Sequence, residues 1–164
     1  MSISIHWDID GLDELIGGLT EAPLLLHGAE RAAMEDSVLF LESEIKDRTP
    51  VVTGRLRSSW ESSVHNTIGG FGIIPEFVGT VGSSVKNDRG YGYSPIVEGG
   101  RGPVFARAGG FLRFRIKGVG PWIFRRSVGP AAGVHMAEEG LEESKDTILA
   151  IFKRYLQAAI DAIK

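Results

Sequence analysis

The hydrophobic positions of the chain change their period along its length, and each change marks an element. Ile3, Ile5, Trp7 and Ile9 alternate with Ser2, Ser4, His6 and Asp8, a period of two that predicts a half-buried strand over 1–9. Asp10 then reads as a helix N-cap, followed at helical spacing by Leu12, Leu15, Ile16 and Leu19, and Gly17-Gly18 predicts an early end to that short helix. From Pro23, a residue suited to a first helical position, an apolar stripe runs through Leu25, Leu26, Ala29, Ala32, Ala33, Met34, Val38, Leu41 and Ile45. Helices are therefore expected over 11–48, the second of them about 38 Å long at roughly 1.5 Å per residue.

The stripe stops at Pro50, which cannot sit in a helix interior and pushes Thr49 out of the helical region. Gly54 offers a position where φ can be positive, and from Leu56 the pattern alternates: Leu56, Ser58, Trp60, Ser62 and Val64 against Arg55, Arg57, Ser59, Glu61 and His65. This predicts a helix-to-strand corner and a strand from Arg55 to about His65. A glycine turn at Gly69, Gly70 and Gly72, a strand from Phe77 to about Gly82 and an irregular stretch to Gly102 follow. Leu112, Phe114 and Ile116 then alternate with Arg113, Arg115 and Lys117, and after Gly118 and Gly120 the run Trp122 to Val128 alternates again, a hairpin with a basic outer face. Sheet with long loops over 55–128 gives way to a C-terminal helix over 134–163. Leu141, Ile148, Ile151, Phe152, Tyr155, Ala159 and Ile163 mark its apolar face, and Glu138, Glu139, Glu142 and Glu143 suit its early turns. The fold class expected is α+β: an antiparallel sheet of four to five strands packed against a long central helix and a C-terminal helix.

Composition narrows the functional classes. With 164 residues, 43% of them hydrophobic, the chain suits a single domain over 1–164. It has no cysteine, so disulfides and thiolate metal sites are excluded. The alternating N-terminal run and the lack of any stretch approaching eighteen uninterrupted apolar residues lead to the expectation of no signal peptide, no membrane span and no membrane partner. The net charge of −3 conceals an asymmetry: residues 1–47 hold eleven acids against Arg31 and Lys46, whereas Gly99 to Ala137 holds none. That acid-free stretch carries Arg101, Arg107, Arg113, Arg115, Lys117, Arg125 and Arg126, candidates for nucleic acid phosphates or for the acidic half of a neighbouring subunit. Arg101, Arg107, Arg125 and Arg126 are assigned here to Asp13, Glu14, Glu35 or Glu42 of a neighbour, because the acidic excess otherwise lacks a partner.

Catalytic patterns are missing. Gly70-Phe71-Gly72 and Gly118-Val119-Gly120 open no helix and carry no Gly-Lys-Ser ending, so neither cradles phosphate. His6, His27, His65 and His135 share no ligand spacing, and Ser58, Ser59, Ser62 and Ser63 lack a nucleophile elbow. No enzymatic activity, cofactor or metal is expected.

The corner Pro50, Thr53, Gly54, Arg55, Leu56 with Arg57, Ser58 and Trp60 behind it resembles the neck or tail-completion (head-tail joining) proteins of long-tailed bacteriophages. A second segment, Tyr93-Ser94-Pro95-Ile96-Val97-Glu98-Gly99-Gly100, is similar to that family's aromatic followed by Val-Glu-x-Gly. Two positions depart from it: Val52 stands where relatives commonly have aspartate, and Gly133-Val134-His135-Met136 replaces the usual Pro-x-Phe lead into the last helix. The resemblance implies a structural virion protein, assembled in the host bacterial cytoplasm. It implies a homo-oligomeric ring of six copies at the neck, between adaptor and tail-terminator or tube proteins, through which double-stranded DNA passes. A tail-terminator ring and a non-specific nucleic-acid-binding module are the alternatives.

Overall fold

The computed structural model describes residues 12–68, 75–86, 90–115 and 120–163, with backbone alone at 12–21, 67–68 and 75–76. The elements are α1 (Leu12–Arg48), α2 (Arg55–Ser58), β1 (Trp60–Ile68), β2 (Pro75–Ser83), α3 (Ser94–Gly99), β3 (Val104–Phe105), β4 (Leu112–Phe114), β5 (Ile123–Arg125), β6 (Ser127–Val128) and α4 (Met136–Ile163). The chain is a mixed helix and sheet protein, with long helices and small antiparallel sheets. The expected strand over 1–9, the turn at Gly69 to Gly72, and Ile116, Lys117 and Gly118 lie outside the described residues.

Where two helices were expected before Pro50, α1 is one, running through Gly17-Gly18 with Pro23 inside it. The glycines weaken a helix by about 1 kcal/mol each relative to alanine and leave every backbone N–H in place. Proline removes only one donor, and helix on both sides propagates cooperatively. Residues Ala33, Ser37, Val38, Ile45 and Thr49 are buried, with Leu41 half-buried, so a four-residue ridge rather than the whole stripe faces inward. Leu24, Leu25 and Leu39 are exposed.

The structure contains no single sheet of four to five strands among the described residues: β1 pairs with β2, β3 with β6, and β4 with β5. The hairpin partners are Leu112↔Arg125, Arg113↔Phe124 and Phe114↔Ile123, and the short ladder pairs Val104↔Val128 and Phe105↔Ser127, both antiparallel. The run Trp122 to Val128 is thus shared between two partners, since only three residues of it face β4. Arg55–Ser58 is helical instead of extended, and the stretch before Gly102 contains α3. Leu56 and Trp60 both lie inward, a four-residue spacing that suits one helical turn as well as strand alternation, so parity alone could not choose between them.

Two compact units divide the chain. One contains α1 up to Ser37, β1 from Val64, β2 up to Gly79 and α4 from Asp146. In it the Tyr155 hydroxyl donates to Asp36 at 2.6 Å, Arg154 reaches the same carboxylate at 3.2 Å, and His27 meets Phe77 edge-on at 5.3 Å. Asp36 raises the Tyr155 pKa by accepting the phenol proton in a hydrogen bond.

The second unit runs from Val38 to Ser63 and from Thr80 to Lys145. Its core is Ile45, Leu56, Trp60 and Met136, packed round by Leu41, Val81, Val85, Val97 and Ala137. Gly140 and Ser144 are buried on α4, and a Cβ at Gly140 would stand 3.2 Å from Ile45 Cγ1, so the small residue permits close contact between α4 and α1. Leu141, expected on the apolar face, is exposed, because Met136, Gly140 and Ser144 take the inward row at four-residue spacing.

Candidate functional site

The first sequence motif builds the end of α1 and the turn after it. Thr49, held out of the helix by Pro50, donates its hydroxyl to the Ile45 carbonyl at 2.7 Å and accepts the Trp60 indole N–H at 3.0 Å. Both groups are buried, so the bonds satisfy polar atoms that would otherwise be left bare in the core. Gly54 turns the chain at φ +78°, and its carbonyl accepts the Ser58 N–H at 2.9 Å to start α2. Arg57 pairs with Asp47 at 2.6 Å, whereas Arg55 is exposed. A side chain at Gly54 would meet nothing within 4 Å, so Gly54→Val tests backbone strain by itself. A loss of about 1–2 kcal/mol is expected in chemical denaturation; an unchanged midpoint would show that the corner tolerates another path.

The second motif carries out three tasks. Tyr93 donates its N–H to the Val85 carbonyl at 3.0 Å, next to the bridge Lys86↔Gly92, which ties the motif to the end of β2. Val97 packs on the core. Glu98 lies beside the start of α4, where its carboxylate accepts the Ala137 N–H at 3.0 Å and the Glu138 N–H at 3.0 Å. An acid there satisfies two of the orphan donors of the helix and faces the positive end of its dipole. His135, at φ +52°, turns its own ring to Glu138 at 3.0 Å, leaving the cap to Glu98.

Gly99 and Gly100 then cross the lead into α4 as backbone on backbone: Arg101 and Ala131 exchange both bonds at 2.9 Å, and Val134 donates to Val97 at 2.9 Å. Gly133-Val134-His135-Met136, which lacks the Pro-x-Phe of the resembling family, is thereby docked through Glu98 and main-chain pairing. Glu98→Ala is expected to lower stability by about 1–2 kcal/mol, as cap deletions do, and Glu98→Gln by less because one acceptor remains. Equal losses in the two variants, read from urea midpoints, would show that Glu98 does not act as the cap of α4.

The two motifs meet around one cavity of about 320 Å³. Pro50, Val52, Thr53, Gly54, Arg55 and Leu56 line it from the corner, and Val85, Lys86, Tyr93 and Val97 from the other side. Its lining is mainly apolar, its charges are the cations Arg55 and Lys86, and it contains neither histidine nor carboxylate to act as a general base. Val85 and Lys86 carried no signal of this in the sequence, since only the Lys86↔Gly92 bridge and the Tyr93–Val85 bond, beyond the end of β2, bring them here.

The basic residues separate by register. Arg113 and Phe124 are cross-strand partners, and the guanidiniums of Arg113 and Arg115 lie 4.3 and 4.1 Å from the Trp122 ring centre. Arg126 stacks over Phe111 at 5.7 Å. Period-two alternation puts Arg113 and Phe124 on one face of the hairpin, where Arg115 shares Trp122 with Arg113, whereas Arg125, paired with Leu112, belongs to the other; Arg126 lies in the bend after β5. Arg101 donates to the Gly102 and Gly129 carbonyls, and Arg107 is exposed. Arg125, paired with Leu112, and Arg126, stacked over Phe111, thus have different surroundings.

The acids of α1 are also not idle. Glu35 pairs with Arg31 at 2.9 Å, Glu42 with Lys46 at 2.5 Å, and Arg48 bridges Glu44 and Glu143 at 2.5 Å each. The side chains of Asp13 and Glu14 lie outside the described residues. Pairing one turn apart on the helix supplied partners that counting charges over 1–47 did not reveal. Lys46, through its hydrogen bond, and then Ser62 hold the Glu42 carboxyl below its ordinary value. A depressed acid stabilises the fold above its unfolded pKa, and that stability is lost as pH falls through the folded pKa. Glu42→Gln is accordingly expected to lower the melting temperature at pH 7 and to leave it closer to wild type at pH 3; an equal deficit at both would remove the ion pair as the cause.

Comparison with protein families, with curated proteins and with solved structures finds no match.

Proposed function

We propose that this chain is a structural subunit of the neck or tail-completion ring of a long-tailed bacteriophage, joining the portal-adaptor complex to the tail and letting DNA pass. The observation that carries the reading is the meeting of the two motifs behind the resemblance. Pro50, Val52 to Leu56, Tyr93 and Val97 line one cavity, and Glu98 caps α4. Every one of these roles is architectural, which suits a protein whose work is to hold a shape and contact neighbours. Six copies in a closed ring, with no small-molecule cofactor, complete the proposal, and head-to-tail contacts close when the rotation allows. A four- to five-stranded antiparallel sheet against α1 and α4 is the finer part of this reading, beyond the two-stranded ladders among the described residues.

Imaging of purified virions with an antibody to this chain tests it. A multi-copy layer between portal and tail tube is the expected result, and its absence from the particle would overturn the proposal. A tail-terminator ring would place the label one layer lower. The exposed cations of the hairpin are what the remaining reading, a non-specific nucleic-acid module, would use. That reading requires duplex binding by the isolated chain, with a salt slope whose size grows by about 0.9 for each phosphate neutralised.

A further inference from the structure

The hairpin face of Phe111, Arg113, Arg115, Trp122, Phe124 and Arg126 has a composition that water alone does not explain. Phe111 is 60% exposed, Phe124 59% and Trp122 46%, and three guanidiniums lie over two of these rings. Among the described residues no ion pair involves any of the three arginines. Aromatic rings held flat beneath arginines are the side chains that dominate protein interfaces, because they present large rigid area while the guanidinium edges stay free to donate. Duplex DNA would use the cations and leave the rings uncovered, since its bases are already stacked.

A complementary surface occurs on the same chain. The outward face of α4 presents exposed Leu141 between Glu138 and Glu142, at helical spacings of three and one. Glu138 pairs with His135 and Glu142 with Lys145, contacts on the surface that exchange readily. Glu139, in the next column, is exposed.

We infer that the aromatic-arginine face of the hairpin docks on the Glu138–Leu141–Glu142 face of α4 in a second copy of the chain, an apolar contact rimmed by opposite charges. The contact is heterologous, one surface meeting a different one, which is the kind that builds a ring. It deepens the ring reading and rests on it, and for Arg126 it replaces the α1 acids as the partner.

The chain has no cysteine, so single thiols can be placed at will. Phe124→Cys and Leu141→Cys, both at exposed positions, would be purified separately, differently tagged, mixed at high concentration and treated with a short bismaleimide. The expected product is the mixed dimer, with little self-linking of either variant. Adding Arg113→Glu and Arg126→Glu to the Phe124→Cys chain should reduce the mixed product at least tenfold, and Glu138→Arg with Glu142→Arg on the other chain should restore it. No mixed product, or Phe124→Cys linking to itself, overturns the inference while leaving the location of the protein in the virion untouched. Suppression of the mixed product by a duplex or single-stranded oligonucleotide that binds wild type but not the arginine variant would assign the face to nucleic acid and also overturn it. Absence of the chain from the neck in the imaging experiment would instead remove the ring reading, whatever the cross-linking showed.

Discussion

Gly133→Ala is expected to lower the melting temperature by roughly 6–12 °C, corresponding to about 3 kcal/mol for a chain of this size. A methyl group at this position would overlap the Glu98 carbonyl oxygen and stand 2.8 Å from the Gly99 carbonyl carbon. The obstacle is backbone on both sides, so no rotamer change relieves it. The chain would have to separate the Val97 to Arg101 segment from the lead into α4, giving up the Val134 and His135 main-chain bonds and moving Glu98 away from its cap. Gly129→Ala serves as the control, because an added Cβ there meets nothing within 4 Å. Calorimetric scans of the two variants beside wild type decide the matter: melting of Gly133→Ala within 2 °C of the control would mean the crossing can open at little cost.

Trp60→Ala should destabilise the protein by about 3–5 kcal/mol, the usual range for emptying a large aromatic site. The ring is 6% exposed, lies among Ile45, Leu56 and Met136, and its N–H is fixed to Thr49, so neighbours have few ways to collapse into the space. Trp60→Phe keeps most of the apolar contact and loses the indole donor, and a smaller loss of about 1 kcal/mol is expected for the bond. Thr49→Val leaves the indole N–H bare inside the core and should fall between the two, at about 1–3 kcal/mol. Since Thr49 and Trp60 share a bond, Thr49→Val with Trp60→Phe should lose less than the sum of the single variants. Urea midpoints for the four proteins measure this. Strict additivity would show that the bond contributes nothing beyond its two partners.

The same corner shows how far the sequence reaches. Pro50 by itself stopped α1 at Arg48, and Gly54 by itself marked the left-handed turn, because both act through the covalent geometry of one residue. The end of the chain was legible as a helix because a long apolar periodicity leaves few alternatives, and β4 and β5 were legible as a hairpin from alternation either side of a glycine-marked turn. The continuity of α1 through Gly17-Gly18 was not, since local penalties of this size are decided by what the flanking helix contributes.

What tertiary structure alone decided are the contacts between residues far apart in sequence. Whether Arg55–Ser58 is a helical turn or extended was left open by parity, since both conformations send Leu56 and Trp60 inward to Ile45 and Met136. The inward row of α4 passed to Gly140 and Ser144, away from Leu141, because Ile45 approaches too closely there for a larger side chain. Glu98 became a cap only when its segment crossed residues 131–135, and Val85 and Lys86 joined the cavity only through their bridge to Gly92 and Tyr93. The sequence determined the periods, the stops and the signs of charge, which are properties of single residues and their near neighbours. Partners were decided by the fold, because pairing energy depends on which surfaces are brought together and no local pattern encodes that.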